Sequence, residues 1–292
     1  MDIEKLHRVA VIGGGQMGRQ IAMNTAIYGY DVCVTDSIPK VLEDVEKWSD
    51  QYLKGRIEKG RMTEEKVEDV RRHFHIINGL VETVSDAGLV IEAIIEDKDK
   101  KSELFKQLNN LAEKDAVLVT NSSYIVSSSF AEFVDNPSRL ANFHYFNPAL
   151  VLKLVEVVQG AHTSNETIDF LMEFARRTGK TPIRVNKEID GFVVNRIMRA
   201  MRDEAYSLVE KGICTPQEVD LGVELGLKHP MGPFRLNDLT GIDSTYYQNE
   251  RRLKETGKMP PGYNIVKAKF EAHGWGRKTG KGFYEYNDNE KK

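Results

Sequence analysis

The chain has little of what would mark a disulfide-stabilised, metal-binding or membrane protein. Its 292 residues include two cysteines, Cys33 and Cys214, which are far apart. Two isolated thiols argue against a disulfide framework or a cysteine metal site. No apolar run approaches the roughly 20 residues of a membrane-spanning helix, so no membrane partner is expected. The first residues also lack a secretion signal, which makes the cytosol the expected location.

A strong excess of one charge is also absent. Lysine and arginine number 41 against 44 aspartates and glutamates, giving a net charge of −3. This balance argues against nucleic acid or an anionic membrane as the main partner, although a local basic patch could still bind an anionic ligand. The length is sufficient for two domains of ordinary size.

Short apolar runs alternate with amphipathic stretches through the first two-thirds of the chain. The apolar runs predict strands that are covered on both faces, and the amphipathic stretches predict helices between them. Strands are predicted at 8–12, 31–35, 89–95, 116–120 and 154–158, and helices at about 15–28, 38–59, 64–72 and 98–113. This alternation predicts a doubly wound parallel sheet of the Rossmann type.

The strand signal fades after residue 186, and a long amphipathic helix is predicted over 191–211. Thr215-Pro216-Gln217-Glu218 has the pattern of a helix start, and Thr163-Ser-Asn-Glu166 has a similar one. We therefore predict an α/β domain over residues 1–187, followed by an all-α domain over residues 188–292.

A glycine-rich loop follows the first predicted strand. Gly13 permits a tight turn, Gly15 lets a pyrophosphate approach the backbone, and Gly18 lets helix and strand pack closely. Gln16 and Met17 lie inside this loop, at the helix start where anions bind. Asp36 ends the second strand, where a carboxylate can hold ribose hydroxyls. The pattern favours NAD over NADP, and the alternative is a turn of purely structural use.

One histidine and one glutamate stand out in the stretch NFHYFNPALVLKLVE, residues 142–156. His144 follows an apparent strand, and Glu156 lies in the next strand after a turn at Asn147-Pro148. Two strands with a short link can bring these side chains together as an acid–base pair. A structural histidine is the alternative reading of the residues alone.

Seven segments together resemble the L-3-hydroxyacyl-CoA dehydrogenase family, which includes 3-hydroxybutyryl-CoA dehydrogenases. They are IEAIIE, TNSS, FHYFNP, KLVEV, GFVVNR, HPMGPF and GRKTGKGFY, in this order between residues 91 and 284. The resemblance runs from Val9 to Tyr286. It implies an NAD-binding Rossmann domain, a helical domain that forms a homodimer, and oxidation of L-3-hydroxyacyl-CoA to 3-oxoacyl-CoA or the reverse reduction.

The resemblance also implies roles for individual residues. His144 is then the general acid–base and Glu156 its partner, while Ser123 and Asn195 contact the substrate and help to orient the histidine. Read alone, Ser123 could instead cap a helix, and Asn195 could be a capping or solvent-facing amide.

Further implied residues concern the two ligands. Glu96 and Lys101 match positions near the nicotinamide ribose, and Asn121 belongs to the same cofactor set; Glu96 and Lys101 could equally begin a solvent-facing helix. Lys54 and Arg56 lie in a basic cluster that could hold CoA phosphates or be a solvated helix face. No metal is expected, because His73 and His75 have no further ligands near them in sequence.

Two departures from the family pattern lie beside the implied site. Leu150 stands where members commonly have proline, and Tyr124 follows Ser123 where a smaller residue is frequent. If both side chains face the acyl group, they favour a short or unusual acyl chain. A dehydrogenase of a hydroxy acid without CoA is the nearest alternative, and a non-catalytic dinucleotide-binding protein is a more distant one.

Overall fold

The computed structural model describes residues 2–287, which divide into two compact units. The first unit ends at Val193, and the second begins at Val194. The predicted boundary at residue 187 lies in the segment that precedes this division. That segment stays with the first unit because Phe192 is buried there against Val158 and Val185.

The first unit is built on an eight-stranded sheet with the order β3-β2-β1-β4-β5-β6-β7-β8. Its strands are β1 (Arg8–Ile12), β2 (Asp31–Thr35), β3 (Phe74–Ile76), β4 (Leu89–Glu92), β5 (Val117–Thr120), β6 (Leu140–Tyr145), β7 (Leu154–Val158) and β8 (Thr181–Val185). Its helices are α1 (Gln16–Ile27), α2 (Pro39–Glu58), α3 (Glu64–Arg72), α4 (Leu80–Val84), α5 (Lys98–Leu111) and α6 (Asn165–Arg177), with 3-10 helices at Ile3–Lys5, Ser127–Phe133 and Pro137–Arg139.

Both faces of the sheet are covered by apolar side chains. Val9 and Val11 of β1 belong to one core cluster, whereas Ala10 and Ile12 belong to another. Alternate residues of a strand point to opposite faces, so the continuous apolar runs are explained by burial on both sides. The predicted Rossmann-type α/β fold is confirmed.

The last two strands run opposite to the first six. β6 pairs antiparallel with β7, and β7 pairs parallel with β8. The reason is the short link over residues 146–153, because a parallel crossover needs about a dozen residues or more. The predicted doubly wound sheet is thus mostly parallel, and at this edge the predicted turn at Asn147-Pro148 brings the chain back antiparallel. Lys180 holds the link, since its ammonium donates to the carbonyls of Ala149 and Leu152.

One of the two predicted helix starts needs correction. α6 is capped by Ser164, whose hydroxyl accepts from the Thr167 N–H at 3.1 Å, and not by Thr163. The Thr163 hydroxyl instead donates to the Leu140 carbonyl at 2.6 Å, which ties it to β6. The predicted capping box of Thr215 and Glu218 is confirmed.

The second unit is helical, as predicted. It contains α7 (Val194–Glu210), α8 (Pro216–Gly226), α9 (Pro233–Thr240), α10 (Ile242–Thr256), α11 (Tyr263–Glu271) and a 3-10 helix at Arg277–Thr279. Tyr206, Phe234 and Phe283 pack at its centre. Two buried carboxylates organise the loops: Asp220 accepts from the backbone at the start of α9, and Asp238 accepts from Phe283 N–H and Tyr284 N–H. Among residues 2–287, no helix is long and apolar enough to cross a membrane.

The loop between β1 and α1 depends on close backbone packing. Gly13 has a φ of +108°, which favours glycine. A Cβ on Gly18 would lie 1.8 Å from the Gly13 carbonyl oxygen, so this helix position requires glycine. A Cβ on Gly15 would meet no heavy atom within 4 Å, so its surroundings leave space for a ligand.

We predict that Gly18→Ala destabilises the protein, whereas Gly15→Ala does not. Alanine gains about 1 kcal/mol of helix propensity over glycine, but displacing packed backbone costs about 1–3 kcal/mol. Urea denaturation should show a net loss of about 1 kcal/mol or more for Gly18→Ala, and a change within about 0.5 kcal/mol for Gly15→Ala. Equal losses in the two variants would contradict this packing account.

Candidate active site

The main cleft of the first unit lies at the carboxyl ends of the sheet strands, where doubly wound folds bind ligands. Its volume is about 1110 Å³, and its walls come from the segments that follow β1, β2, β4 and β5. The cleft gathers most of the predicted cofactor residues, namely Gly13, Gly15, Gln16, Met17, Asp36, Glu96, Lys101 and Asn121. Gly18 does not line the cleft but packs beneath Gly13.

Asp36 is held beside the glycine loop by two backbone hydrogen bonds. One carboxylate oxygen accepts from Gly14 N–H at 2.8 Å, and the other accepts from Ile38 N–H at 3.0 Å. The neighbouring walls are Ser37 and Ile38, and they bring no positive charge to this part of the cleft. A carboxylate in this place suits the two free hydroxyls of an NAD ribose and repels a 2′-phosphate.

A buried carboxylate that was not predicted from the sequence lies behind the wall of the cleft and contacts the cleft residue Lys101. Glu92 ends β4, is fully buried, and accepts from Lys101 Nζ at 2.5 Å and from Thr120 Oγ1 at 2.5 Å. Burial raises the pKa of Glu92, and the positive charge of Lys101 opposes this rise. A charged residue inside the apolar run LVIEAII was the signal that could have indicated it.

Lys101 therefore holds two carboxylates together. Its ammonium group lies 2.5 Å from Glu92 Oε1 and 3.4 Å from Glu96 Oε2, and its side chain is only 1% exposed. Glu96 also accepts a hydrogen bond from Ser122 Oγ. Glu96 and Lys101, the two predicted residues, both line the cleft. The ammonium group of Lys101 pairs with the two glutamates, and the Glu96 side chain is more exposed than that of Lys101.

His144 and Glu156 face each other across neighbouring strands. They are direct partners in the antiparallel register of β6 and β7, and His144 Nδ1 lies 2.8 Å from Glu156 Oε2. Both side chains are buried. A partner on Nδ1 leaves Nε2 available for proton transfer. The structure thus brings together the two residues that the sequence singled out.

Four further contacts complete this pair. Ser123 Oγ lies 2.9 Å from His144 Nε2, and the rings of Phe146 and Phe192 pack against the imidazole with centroid distances of 4.6 and 5.5 Å. The N–H of Val193 donates to Glu156 Oε1 at 3.0 Å. Phe192 and Val193 were not predicted as site residues, although both lie in the quoted motif GFVVNR.

Ser123 does not cap a helix, which was the alternative reading, because residues 123–125 form a bend that Ser122 closes. Ser122 Oγ accepts from Ile125 N–H at 2.7 Å, which leaves the Ser123 hydroxyl directed at the histidine. Asn121 is also held, because its side-chain oxygen accepts from Tyr145 N–H at 2.9 Å. The segment 121–124 therefore borders both the cleft and the His144 ring.

The remaining predicted residues lie elsewhere. Asn195 is in the first turn of α7, in the second unit. Lys54 and Arg56 lie near the end of α2 and do not line the cleft. Tyr124 lines the cleft, whereas Leu150 packs against the core of the first unit, so Tyr124 is the departure that faces this space.

A metal site is not formed by the histidines near β3. His75 contacts Asp31 at 2.7 Å, and residues 2–287 contain no cluster of three side chains that could hold a metal ion.

Comparison with known proteins shows the family to which the chain belongs. The sequence model of the 3-hydroxyacyl-CoA dehydrogenase NAD binding domain matches residues 8–189, and that of the C-terminal domain matches residues 191–286. A probable 3-hydroxybutyryl-CoA dehydrogenase of Bacillus subtilis is 35% identical over 97% of this chain and 99% of its own length.

Two solved structures are also similar. That of (S)-3-hydroxybutyryl-CoA dehydrogenase from Ralstonia eutropha has a TM-score of 0.88 at 30% identity, covering 97% of this chain and 100% of its own. A diketoreductase that acts on dicarbonyl compounds has a TM-score of 0.87 at 27% identity, covering 96% and 99%. The chain belongs to the 3-hydroxyacyl-CoA dehydrogenase family, and its first domain is an NAD-binding domain.

Proposed function

We propose that the chain catalyses the NAD-dependent oxidation of L-3-hydroxyacyl-CoA to 3-oxoacyl-CoA, and the reverse reduction. The observation that carries this proposal is the buried pair of His144 and Glu156, with Ser123 on the free ring nitrogen, in a member of this family. The similar dehydrogenases of Bacillus and Ralstonia favour a short substrate such as 3-hydroxybutyryl-CoA.

The proposed chemistry follows from the two sides of the imidazole. Nδ1–H donates to Glu156, so Nε2 can take the proton of a substrate hydroxyl and return it in the reverse direction. Glu156 stabilises the imidazolium that forms. NAD, when bound, supplies the hydride acceptor. Ser123 positions the hydroxyl or carbonyl oxygen at Nε2, and Asn195 is proposed as a further substrate contact.

The cofactor residues divide into two groups in this proposal. Gly13, Gly15 and Asp36, with Gln16 and Met17 in the same loop, hold the adenosine and pyrophosphate side. Glu96 and Asn121 serve the nicotinamide side, where Lys101 fixes Glu96 in place. A Glu96 carboxylate that accepts a ribose hydroxyl explains why this residue remains partly exposed while Lys101 is buried.

The first test compares thioester and free acid substrates. With NADH, we expect turnover of acetoacetyl-CoA and little turnover of acetoacetate. His144→Ala should lower the rate about 100- to 10,000-fold, because the proton donor is lost. NADH binding, measured by fluorescence titration, should be unchanged, since His144 does not line the cofactor cleft.

Wild-type turnover of acetoacetate at a rate that equals or exceeds that of the thioester would instead favour the alternative enzyme, a dehydrogenase of a hydroxy acid without CoA. The similar diketoreductase makes this alternative concrete. Turnover of neither compound would favour a non-catalytic dinucleotide-binding protein. A His144→Ala variant with wild-type activity would refute the assignment of the acid–base.

The basic end of α2 is proposed to contact CoA phosphates. α2 and α3 form a helical hairpin that is joined by an ion pair of Arg71 with Asp50 at 2.7 Å. Lys54 and Arg56 lie near the turn of this hairpin, and the Lys54 side chain is 78% exposed. The exposed ammonium group of Lys54 is available for charge-assisted hydrogen bonds to phosphate, and Arg56, half-buried beside the Tyr52 ring, follows two residues later.

We predict that replacing both Lys54 and Arg56 with alanine raises KM for acetoacetyl-CoA about tenfold, the loss of about 1.4 kcal/mol of phosphate binding. KM for acetoacetyl-pantetheine, which lacks the nucleotide phosphates, should not change, and kcat should be retained for both. Steady-state kinetics at fixed NADH gives these values. An equal rise in KM for the two thioesters would refute the proposed phosphate contact.

A homodimer through the second domain is proposed from its exposed apolar side chains. Ile197 of α7 and Leu221 and Leu225 of α8 are each more than half exposed, as is Leu227 just after α8. Leu221 and Leu225 are four residues apart and so share one face of α8, and exposed apolar surface of this kind commonly marks protein–protein contacts. Their burial against a second copy would account for them.

Light scattering should therefore give the mass of a dimer for the wild type. Leu225→Asp should shift it to the monomer, because a buried carboxylate without a partner costs several kcal/mol. The matched change Val81→Asp, at a half-exposed position on α4 in the first domain, should leave the mass unchanged. A monomeric wild type at micromolar concentration would contradict the dimer. The cytosolic location stays a prediction that cell fractionation can test.

A further inference from the structure

The segment over residues 186–193 brings two groups to the acid–base pair. Gly191 and Phe192 both have positive φ, +72° and +46°, so the chain turns sharply at this point. The turn places the Phe192 ring against His144 and directs Val193 N–H to Glu156 Oε1. The position of this segment therefore affects both members of the pair.

Glu188 anchors the same segment to another part of the first unit. Its Oε1 accepts from Ser127 Oγ at 2.7 Å and from Ser128 N–H at 2.8 Å. Val126 adds an apolar contact to the cluster that contains Phe192. Glu188 is only half-buried, yet one of its oxygens receives two donors from one short stretch of chain.

That stretch is itself fixed to the catalytic strand. Ser127 N–H donates to the side-chain oxygen of the buried Asn142 at 2.7 Å, and Asn142 lies two residues before His144 on β6. The same stretch begins with Ser123, which contacts His144 Nε2. Glu188 therefore connects the segment that touches Nε2 to the segment that touches the carboxylate on Nδ1.

We propose that Glu188 is a positioning residue for the His144–Glu156 pair, because it fixes the turn that delivers Val193 N–H to Glu156 and Phe192 to the imidazole. The expected effect of Glu188 on turnover rests on the proposed function. Its expected effect on the His144 pKa does not, because that is measured in the protein without ligands.

The sign of the effect follows from the two contacts. Val193 N–H presents the positive end of its dipole to Glu156, next to the imidazole, and Phe192 shields the ring from water. Both contacts disfavour a positive charge on His144. Releasing the segment removes both, so the pKa of His144 should rise.

His162 provides an internal control for the charge of Glu188. His162 Nε2 lies 3.3 Å from Ser127 Oγ. Burial lowers the pKa of His162, while the negative charge of Glu188 raises it. Loss of that charge should therefore lower the pKa of His162, whether or not the segment is released. Glu156 is the charged side chain in contact with His144, and Glu188 is the charged group acting on His162.

The experiment is a histidine NMR titration of the protein without substrate, with the His144 signal assigned by His144→Asn. Glu188→Ala removes both charge and anchor, whereas Glu188→Gln removes the charge and keeps an oxygen that can accept both hydrogen bonds. Lys187→Ala, at an exposed neighbouring position, is the matched control. Ser127→Ala removes one of the two donors and tests the anchor if Glu188→Ala does not fold.

We expect Glu188→Ala to raise the pKa of His144 by about half a unit or more and to lower that of His162. Glu188→Gln should lower the pKa of His162 alone, and Lys187→Ala should change neither. Ser127→Ala should raise the pKa of His144 by a smaller amount. Turnover of acetoacetyl-CoA by Glu188→Ala should fall about tenfold, with NADH affinity retained and Glu188→Gln largely active.

Equal shifts of the His144 pKa in Glu188→Ala and Glu188→Gln would mean that only the charge of Glu188 matters, and would overturn the proposal. An unchanged His144 pKa in Glu188→Ala would overturn it as well. If Glu188→Ala does not fold, an unchanged His144 pKa in Ser127→Ala overturns the proposal. A wild type without turnover would refute the proposed function alone, because the titration needs no substrate.

Discussion

The antiparallel pairing of β6 with β7 is the constraint on which the proposed site depends. Side chains directly opposite each other on an antiparallel pair have Cβ atoms about 4.5–5.5 Å apart, within reach of a hydrogen bond between longer side chains. His144 and Glu156 occupy such a pair although 12 positions separate them in the chain. A shift of one residue in register would turn one of them to the other face of the sheet.

Two buried carboxylates serve the site in a similar way. Glu92 at the end of β4 holds Lys101, and Glu156 on β7 holds His144, each through a short contact. A buried carboxylate is costly unless several donors satisfy it, and both have backbone donors as well, from Ile94 and Val193. The difference lies in the partner: a lysine ammonium group only donates hydrogen bonds, whereas an imidazole can both accept and donate a proton.

The sequence was sufficient where the determining contacts are local. The strands, the glycine loop and the capping box of Thr215 depend on residues within a few positions of one another, and the structure has them as expected. The reversal at β7 also follows from the local sequence, because the turn at Asn147-Pro148 leaves too few residues for a parallel crossover. The contacts of Phe192 and Val193 with the acid–base pair could not be predicted from the sequence, because they depend on a turn that is held by distant parts of the chain.

The adjacent serines after β5 show why strand order matters more than any single motif. Ser122 donates to Glu96 on the cofactor side, and Ser123 contacts His144 on the catalytic side. β5 lies between β4 and β6 in the sheet, so the segment that leaves its carboxyl end lies between the groups carried by those two strands. One short segment can then contact the Glu92–Lys101–Glu96 network and the imidazole together. The chain bends at residues 123–125, and Ser122 Oγ closes the bend by accepting from Ile125 N–H, so two consecutive serines suffice to connect the cofactor cleft with the acid–base pair.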